Sequence, residues 1–312
     1  FLNSNQLTGP LPSNIGSLTS LEVIDLSYNF ISGSIPDSIS SLKQMTHMYL
    51  HRNQISGPLP SGIGDLTKLQ ILDLRYNNLS GSIPASISAL QQLKFLSLYR
   101  NQLNGTIPDG LASLTNLVTL FLHCNQLSSS IPSSIGALTN LQTIDLSYNQ
   151  LTGTIPSHIS TLGQLTFLDL SVNKFYESIP DSITALRELT FLNLFSNKLI
   201  GNIPSAIGSL SNLVTLDLST NQLSDSIPDS ISALGKLTRL SLFINRLTGS
   251  IPFKLASLSN LINLGLFNNY LTSSVPNEIG SLNNLAMLDL SSNRLSGKFP
   301  DSISSLNKLT VL

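Results

Sequence analysis

The sequence has a single cysteine, Cys124, and few charges. Charged residues are 11% of its 312 residues, against about a quarter in an ordinary globular chain. One thiol excludes an internal disulfide framework and a multi-cysteine zinc site, and says nothing about redox compartment. The net charge of −1 gives no basis for a nucleic-acid or anionic-membrane partner. No run of about 18 apolar residues occurs, so nothing reads as a membrane span. No basic start followed by an apolar stretch marks a leader. With charge so scarce, the polar surface has to be built from Ser, Thr, Asn, Gln and Gly.

What the sequence has in abundance is one period. Asn stands at 5, 29, 53, 77, 101, 125, 149, 173, 197, 221, 245, 269 and 293, always 24 residues apart, and a proline follows each by seven residues. Thirteen such units fill residues 1–312 without an insertion. That predicts one solenoid with no linker and no second domain. Residues 141–164, LQTIDLSYNQLTGTIPSHISTLGQ, show the unit. Its alternation turns Ile144 and Leu146 inward and Thr143, Asp145 and Ser147 outward, as a half-buried strand requires. Stacked strands make a parallel sheet. The return carries Pro156, whose ring fixes the backbone, then Ile159 and Leu162 at the spacing of a short helical or 3₁₀ turn. The recurring Asn side chains are expected inside, bonded to the backbone of their own turn and the adjacent coil.

With these residues in view, the pattern resembles the 24-residue plant-type leucine-rich repeat of receptor-like kinase and receptor-like protein ectodomains and of polygalacturonase-inhibiting proteins; L-x-G-x-I-P is its specific part. The resemblance implies an α/β solenoid, a horseshoe or superhelix with a concave parallel β-sheet and short 3₁₀ or helical turns on its convex side. It implies a non-enzymatic module binding a protein, peptide or carbohydrate ligand, with room for a co-receptor, at the cell surface or outside the cell, without a cofactor. The cysteine-paired caps of such ectodomains are absent, and Phe1, Leu2, Val311 and Leu312 fall in mid-strand. Repeat arrays need polar caps, so the sequence reads as a fragment with both caps missing.

The unit's glycine is kept at Gly105, Gly153, Gly201, Gly249 and Gly297 but replaced by Ser129, Glu177, Asp225 and Ser273. This 48-residue alternation suggests growth by duplicated pairs. It also predicts a position that does not demand a left-handed backbone, where Glu would be strained.

Outward strand positions carry a solenoid's identity, because packing fixes the inward ones. Most carry Asp and Ser, as at Asp25/Ser27 and Asp145/Ser147. Departures cluster twice. The first cluster is His47, Tyr49, His51, Arg52, Arg75, Tyr76, Lys94, Phe95, Tyr99, Arg100, Phe121 and His123. The second is Phe167, Phe191, Phe195, Phe243, Ile244 and Phe267, with Arg239. Exposed aromatics and Arg dominate binding at interfaces. The first cluster's arginines suit a carboxylate or sulfate, and its rings a sugar or peptide. Alternatively the rings pair across strands. Replacing Arg52, Arg75 and Arg100 together by Ser is expected to leave the fold intact.

Metal and nucleophile chemistry fit poorly. His51 and His123 lie three coils apart, roughly 14 Å at strand spacing, and a metal needs several ligands within about 2 Å of itself. His47 and His51 are about 13 Å apart along one strand, and His158 lies on the return. His123 and Cys124 are adjacent and should point apart, whereas a Cys–His nucleophile needs contact and a third, orienting group.

The sequons at Asn78 (NLS) and Asn104 (NGT) would mark a ligand-free surface if the protein is secreted. A different reading comes from rows of hydroxyls beyond the Asn: Ser32/Ser34, Ser80/Ser82, Ser128/Ser130, Thr152/Thr154, Ser224/Ser226, Thr248/Ser250 and Thr272/Ser274. A regular uncharged array can match a lattice, and some similar plant proteins inhibit ice growth. The rows are interrupted by Pro10, Pro58, Tyr176, Ile200, Asn202 and Lys298, and Ser outnumbers the methyl-bearing Thr. A purely structural or adhesive scaffold is the remaining alternative.

Overall fold

Each 24-residue unit makes one turn of a coil in the computed structural model, which describes residues 1–312. The chain divides into two compact units, Phe1–Thr152 and Gly153–Leu312, both wound from the same turn. In the first, the main sheet runs through Val23–Asp25, His47–Tyr49, Ile71–Asp73, Phe95–Ser97, Thr119–Phe121 and Thr143–Asp145. In the second, a sheet of the same kind runs through Phe167–Asp169, Phe191–Asn193, Thr215–Asp217, Arg239–Ser241, Asn263–Gly265 and Met287–Asp289. Neighbours pair in parallel with no slip, so Val23 faces His47, His47 faces Ile71 and Ile71 faces Phe95. Such a register places equivalent residues of successive units side by side.

The inward alternation is realised. Leu72, Leu74, Leu96, Leu98, Leu120 and Leu122 are fully buried. Across the core lie 3₁₀ turns such as Asp37–Ser41, Ser61–Asp65 and Ala85–Ala89. Each follows a proline held extended, and that proline's carbonyl accepts the first turn bond, as from Ile39 N to Pro36 O at 3.0 Å. Ile and Leu three residues apart then fall on one side, as Ile63 and Leu66 do, both fully buried. No helix is long and apolar enough to cross a membrane.

The Asn ladder ties one coil to the next. Asn77 Oδ1 accepts from Ile55 N at 3.0 Å, while its amide donates to Leu50 O and Leu74 O, both at 3.0 Å. Asn53 repeats this with Ile31 N, Leu26 O and Leu50 O. One side chain thereby satisfies buried backbone groups that the strands leave open.

Two sequence expectations need correction. Ser129, Glu177, Asp225 and Ser273 are left-handed after all, with φ of 66, 63, 62 and 67°, beside Gly105 at 73° and Gly201 at 74°. The next coil holds them there: Thr152 N donates to Ser129 O at 2.8 Å and Ile200 N to Glu177 O at 3.0 Å. Side-chain strain of about 1–2 kcal/mol does not outweigh that pairing. Secondly, the outward serines are covered. Ser27, Ser147 and Ser219 are buried, and each hydroxyl donates to its own Asp, as Ser27 Oγ does to Asp25 Oδ1 at 2.6 Å and Ser147 Oγ to Asp145 Oδ1 at 2.7 Å.

A second left-handed column was not legible in the composition. It is the residue just before each ladder Asn: Ser4, Tyr28, Arg52, Tyr76, Arg100, Cys124 and Tyr148 in the first unit, at φ between 51 and 56°. Its carbonyls accept from the ladder residues of the preceding coil, as Tyr76 O does from Asn53 N at 3.2 Å.

Candidate functional site

In the first unit, the register gathers most of the first cluster on the outer face of the main sheet. His47, Tyr49, Phe95, Tyr99, Phe121 and His123 are half-buried there, not fully exposed. The cause is ring-on-ring packing across strands. Tyr99 stacks on His123 with centroids 4.0 Å apart and meets Tyr76 and Phe121 edge-on at 5.3 and 6.1 Å. Phe121 in turn meets Phe95 at 6.0 Å. A second group forms around Tyr49, with His47 at 6.1 Å and His51 at 6.4 Å. Tyr28 closes that group against His51 at 5.3 Å. Lys94 is exposed and takes part in none of these contacts.

Arginine links the groups. Arg52 lies over Tyr76 at 4.4 Å and over Tyr28 at 5.2 Å, and Arg100 lies over Tyr76 at 5.1 Å. Both are exposed, and neither is in an ion pair. Arg75 behaves differently. Its Nε lies 3.4 Å from Asp73 Oδ2, its backbone N–H donates to Asp73 Oδ1 at 3.3 Å, and its guanidinium lies 5.8 Å over Tyr99.

Asp73 is the most buried charge of the site, at 3% exposure. His51 Nδ1 approaches the same Oδ2 at 3.2 Å. Burial pushes Asp73 up to about 6, with Arg75 as the main opposing influence. Burial, and then the charge of Arg75, pulls His51 down to about 4. A parallel pair forms at His123 Nδ1 and Asp145 Oδ2, 3.0 Å apart. Burial raises Asp145 as well, against its bonds from Ser147. Burial also raises the Cys124 thiol, which is a free cysteine, so this side chain is a poor nucleophile at neutral pH. The tyrosines Tyr49 and Tyr99 are raised by burial too.

Tyr28, Asp73 and Asp145 escaped the sequence reading because they belong to the repeat's default LDLSYN outfit. A signal was nevertheless present. Each His–Asp pair is separated by 22 residues, the same offset at which ladder residues such as Asn53 and Asn77 receive a backbone N–H.

The second unit's cluster divides. Phe167 stacks on Phe191 at 4.4 Å and Phe243 on Phe267 at 4.4 Å. Phe195 is half-buried and joins neither stack, while Ile244 and Arg239 are exposed. The absent side chain at Gly265, where a Cβ would stand 3.2 Å from the Phe243 ring, leaves a hollow of about 260 Å³ between Arg239, Phe243, Phe267 and Met287. Asn78 and Asn104 are exposed, as glycan acceptors must be.

The sequence model of the leucine rich repeat matches residues 1–55 and 115–175, and a companion model of the same repeat matches 68–90, 92–114, 188–210, 212–234 and 284–306. No curated protein matches the chain. Among solved structures, a TDR receptor is 36% identical with a TM-score of 0.96, over 99% of this chain and 54% of that one. The Arabidopsis receptor kinase HAESA, in complex with the peptide hormone IDA and the co-receptor SERK1, is 34% identical with a TM-score of 0.76, over 98% and 59%. A plant ice-binding protein is 32% identical with a TM-score of 0.63, over 78% and 79%. The chain spans little more than half the length of the two receptor chains it resembles.

Proposed function

The chain belongs to the leucine-rich repeat family, and from that premise we propose that it is a non-enzymatic recognition module outside the cell. Its ligand is a peptide or a protein segment, docked on the outer sheet face of the first unit. The observation that carries this reading is the pair of ring groups between Tyr28 and His123, bridged by Arg52, with the exposed, ion-pair-free guanidiniums of Arg52 and Arg100 upon them. Aromatic and Arg side chains held rigid by their neighbours lose little entropy on binding. A sugar is a weaker fit, because a pyranose needs an open ring face. Here His123 covers Tyr99, and both guanidiniums lie over Tyr76. In HAESA the bound partners are a peptide hormone and a co-receptor, which supports a peptide occupant and a further protein partner here.

Selection from a random peptide library on the folded chain tests this. Binders should lose most of their affinity for an Arg52→Ser/Arg100→Ser/Phe121→Ala variant. Equal binding to both proteins would remove this face from consideration.

Ice binding is the second reading, favoured by the resemblance to a plant ice-binding protein and by the exposure of Ser82, Thr106 and Ser130 in one row. In the adjoining row the hydroxyls turn back to the coil: Ser128 Oγ donates to Gly105 O at 3.3 Å and Thr272 Oγ1 to Gly249 O at 3.3 Å. An ice-recrystallisation assay separates the readings. Activity kept in the Arg and Phe variant but lost on changing Thr152, Thr154 and Thr248 would establish ice binding.

A further inference from the structure

The residue before each ladder Asn forms a row of its own, and over four successive coils of the first unit, between Ser4 and Cys124, that row alternates ring and cation: Tyr28, Arg52, Tyr76, Arg100. Its backbone is fixed in the left-handed region at every step, so these side chains leave the sheet from equivalent points. The second unit's row, Val172, Ser196, Thr220, Ile244, Asn268 and Ser292, carries no charge. The device is therefore local. Arg52 is held over Tyr28 at 5.2 Å and Tyr76 at 4.4 Å, and Arg100 over Tyr76 at 5.1 Å. Ring contacts occupy the guanidinium faces and leave their N–H edges for a planar acceptor. No carboxylate of the chain takes that place.

Strand spacing sets the distance between the two cations. Neighbouring strands are about 4.8 Å apart, so residues two coils apart stand about 9.6 Å apart. A polyproline II segment rises about 3.1 Å per residue with three residues per turn, which repeats a side chain on one face every 9.3 Å or so. An extended β-strand repeats its face every 6.6 Å or so and fits neither one step of the row nor two.

We propose that this row reads a peptide in polyproline II conformation bearing two carboxylates three residues apart, one on Arg52 and the other on Arg100. This rests on the reading of the first unit's outer face as the recognition surface. It adds the chemistry and the spacing of the occupant. The exposed Asn78 sequon lies two residues beyond Tyr76, so unglycosylated protein is the material to use.

The test is a series of labelled proline-rich peptides with two Glu residues spaced i,i+2, i,i+3, i,i+4 or i,i+7, plus a neutral control, titrated by fluorescence anisotropy at low and physiological salt. The i,i+3 peptide should bind at least about tenfold tighter than the other acidic peptides, since it alone forms both charge-assisted contacts without strain. Either Arg52→Gln or Arg100→Gln should erase that advantage. Equal binding of all acidic peptides, a preference for any spacing other than i,i+3, or spacing selectivity that survives both substitutions would overturn the proposal. Hydrogen exchange separates this from the broader reading. Library-selected peptides that protect the Phe95–Phe121 strands without any acid spacing retain the recognition surface and overturn this inference. If no peptide protects that face, both fall.

Discussion

His51 Nδ1 and the Asp73 carboxylate of the next coil lie 3.2 Å apart on a face where Asp73 is 3% exposed. Burial moves the two groups in opposite senses, Asp73 up to about 6 and His51 down to about 4. A raised carboxylate holds its proton more readily in the folded chain, so its contribution is full below its ordinary value of 3.8 and lost as pH rises through about 6. A lowered imidazole resists its proton, so its contribution is present above 6.5 and lost as pH falls towards 4. Between about 4 and 6 the two slopes offset each other. Urea midpoints of the native chain should therefore change little there on account of this pair, whereas Asp73→Asn should lose stability steadily as pH falls from 6.5. The same pH profile for both proteins would refute the assignment, as would an NMR titration placing His51 near 6.5.

The arginines of the site should separate by role. Arg75 is the cation beside the buried Asp73, at 3.4 Å, so Arg75→Ser leaves a buried carboxylate without it. We expect a loss on the order of 2–3 kcal/mol in denaturant unfolding. Arg52→Ser and Arg100→Ser remove exposed cations and should stay within about 0.5 kcal/mol of the parent. The triple change to Ser is accordingly expected to keep the fold at lower stability, with the loss coming from Arg75. Comparable losses at all three positions would show that Asp73 does not depend on Arg75.

Loss of a ladder rung should be costly. Asn77→Ala strands one buried backbone N–H and two carbonyls. At roughly 1–3 kcal/mol for each unsatisfied group, partly relieved by water, a loss of about 3 kcal/mol is expected. A loss under 1 kcal/mol would mean that the neighbouring strands satisfy those groups unaided.

The glycine column and the turn glycines should respond in opposite ways. Glu177, at φ 63°, should gain about 0.5–1 kcal/mol when changed to Gly, the strain relieved less the added chain entropy. Gly64 has an ordinary backbone, but a Cβ there would run into the Ser86 carbonyl of the next turn. Gly64→Ala should lose about 2–3 kcal/mol by overpacking. Thermal unfolding of the two variants measures both, and a destabilised Glu177→Gly would show that the side chain stabilises its turn.

Asn77 and Glu177 also mark what could be read without coordinates. The ladder role of Asn77 followed from recurrence, because a polar side chain at a constant period in a coil can only meet backbone of its own turn and its neighbour. The strain at Glu177 did not follow. Sequence reasoning weighs the residue against its local backbone preference, and here the hydrogen bond from Ile200 N to Glu177 O, made by another coil, decides the conformation. The site divides in the same way. Phe121 and His123 were legible as departures from LDLS, whereas Asp73 looked like a default residue. Its neighbours His51 and Arg75 make it unlike the other aspartates.

The sequence by itself determined the coil, the register and the core. A strand has a side-chain period of two, so a slip of one residue would turn Leu72 and Leu74 to solvent and bring Asp73 into the apolar interior. Tertiary structure decided which outward side chains remain available. Tyr99 lost a face to His123 and His51 was brought against Asp73, while Arg52 and Arg100 stayed open. Those outcomes depend on partners about 22–24 residues away in the chain that stacked parallel strands bring within about 5 Å, and no local property of either residue specifies them.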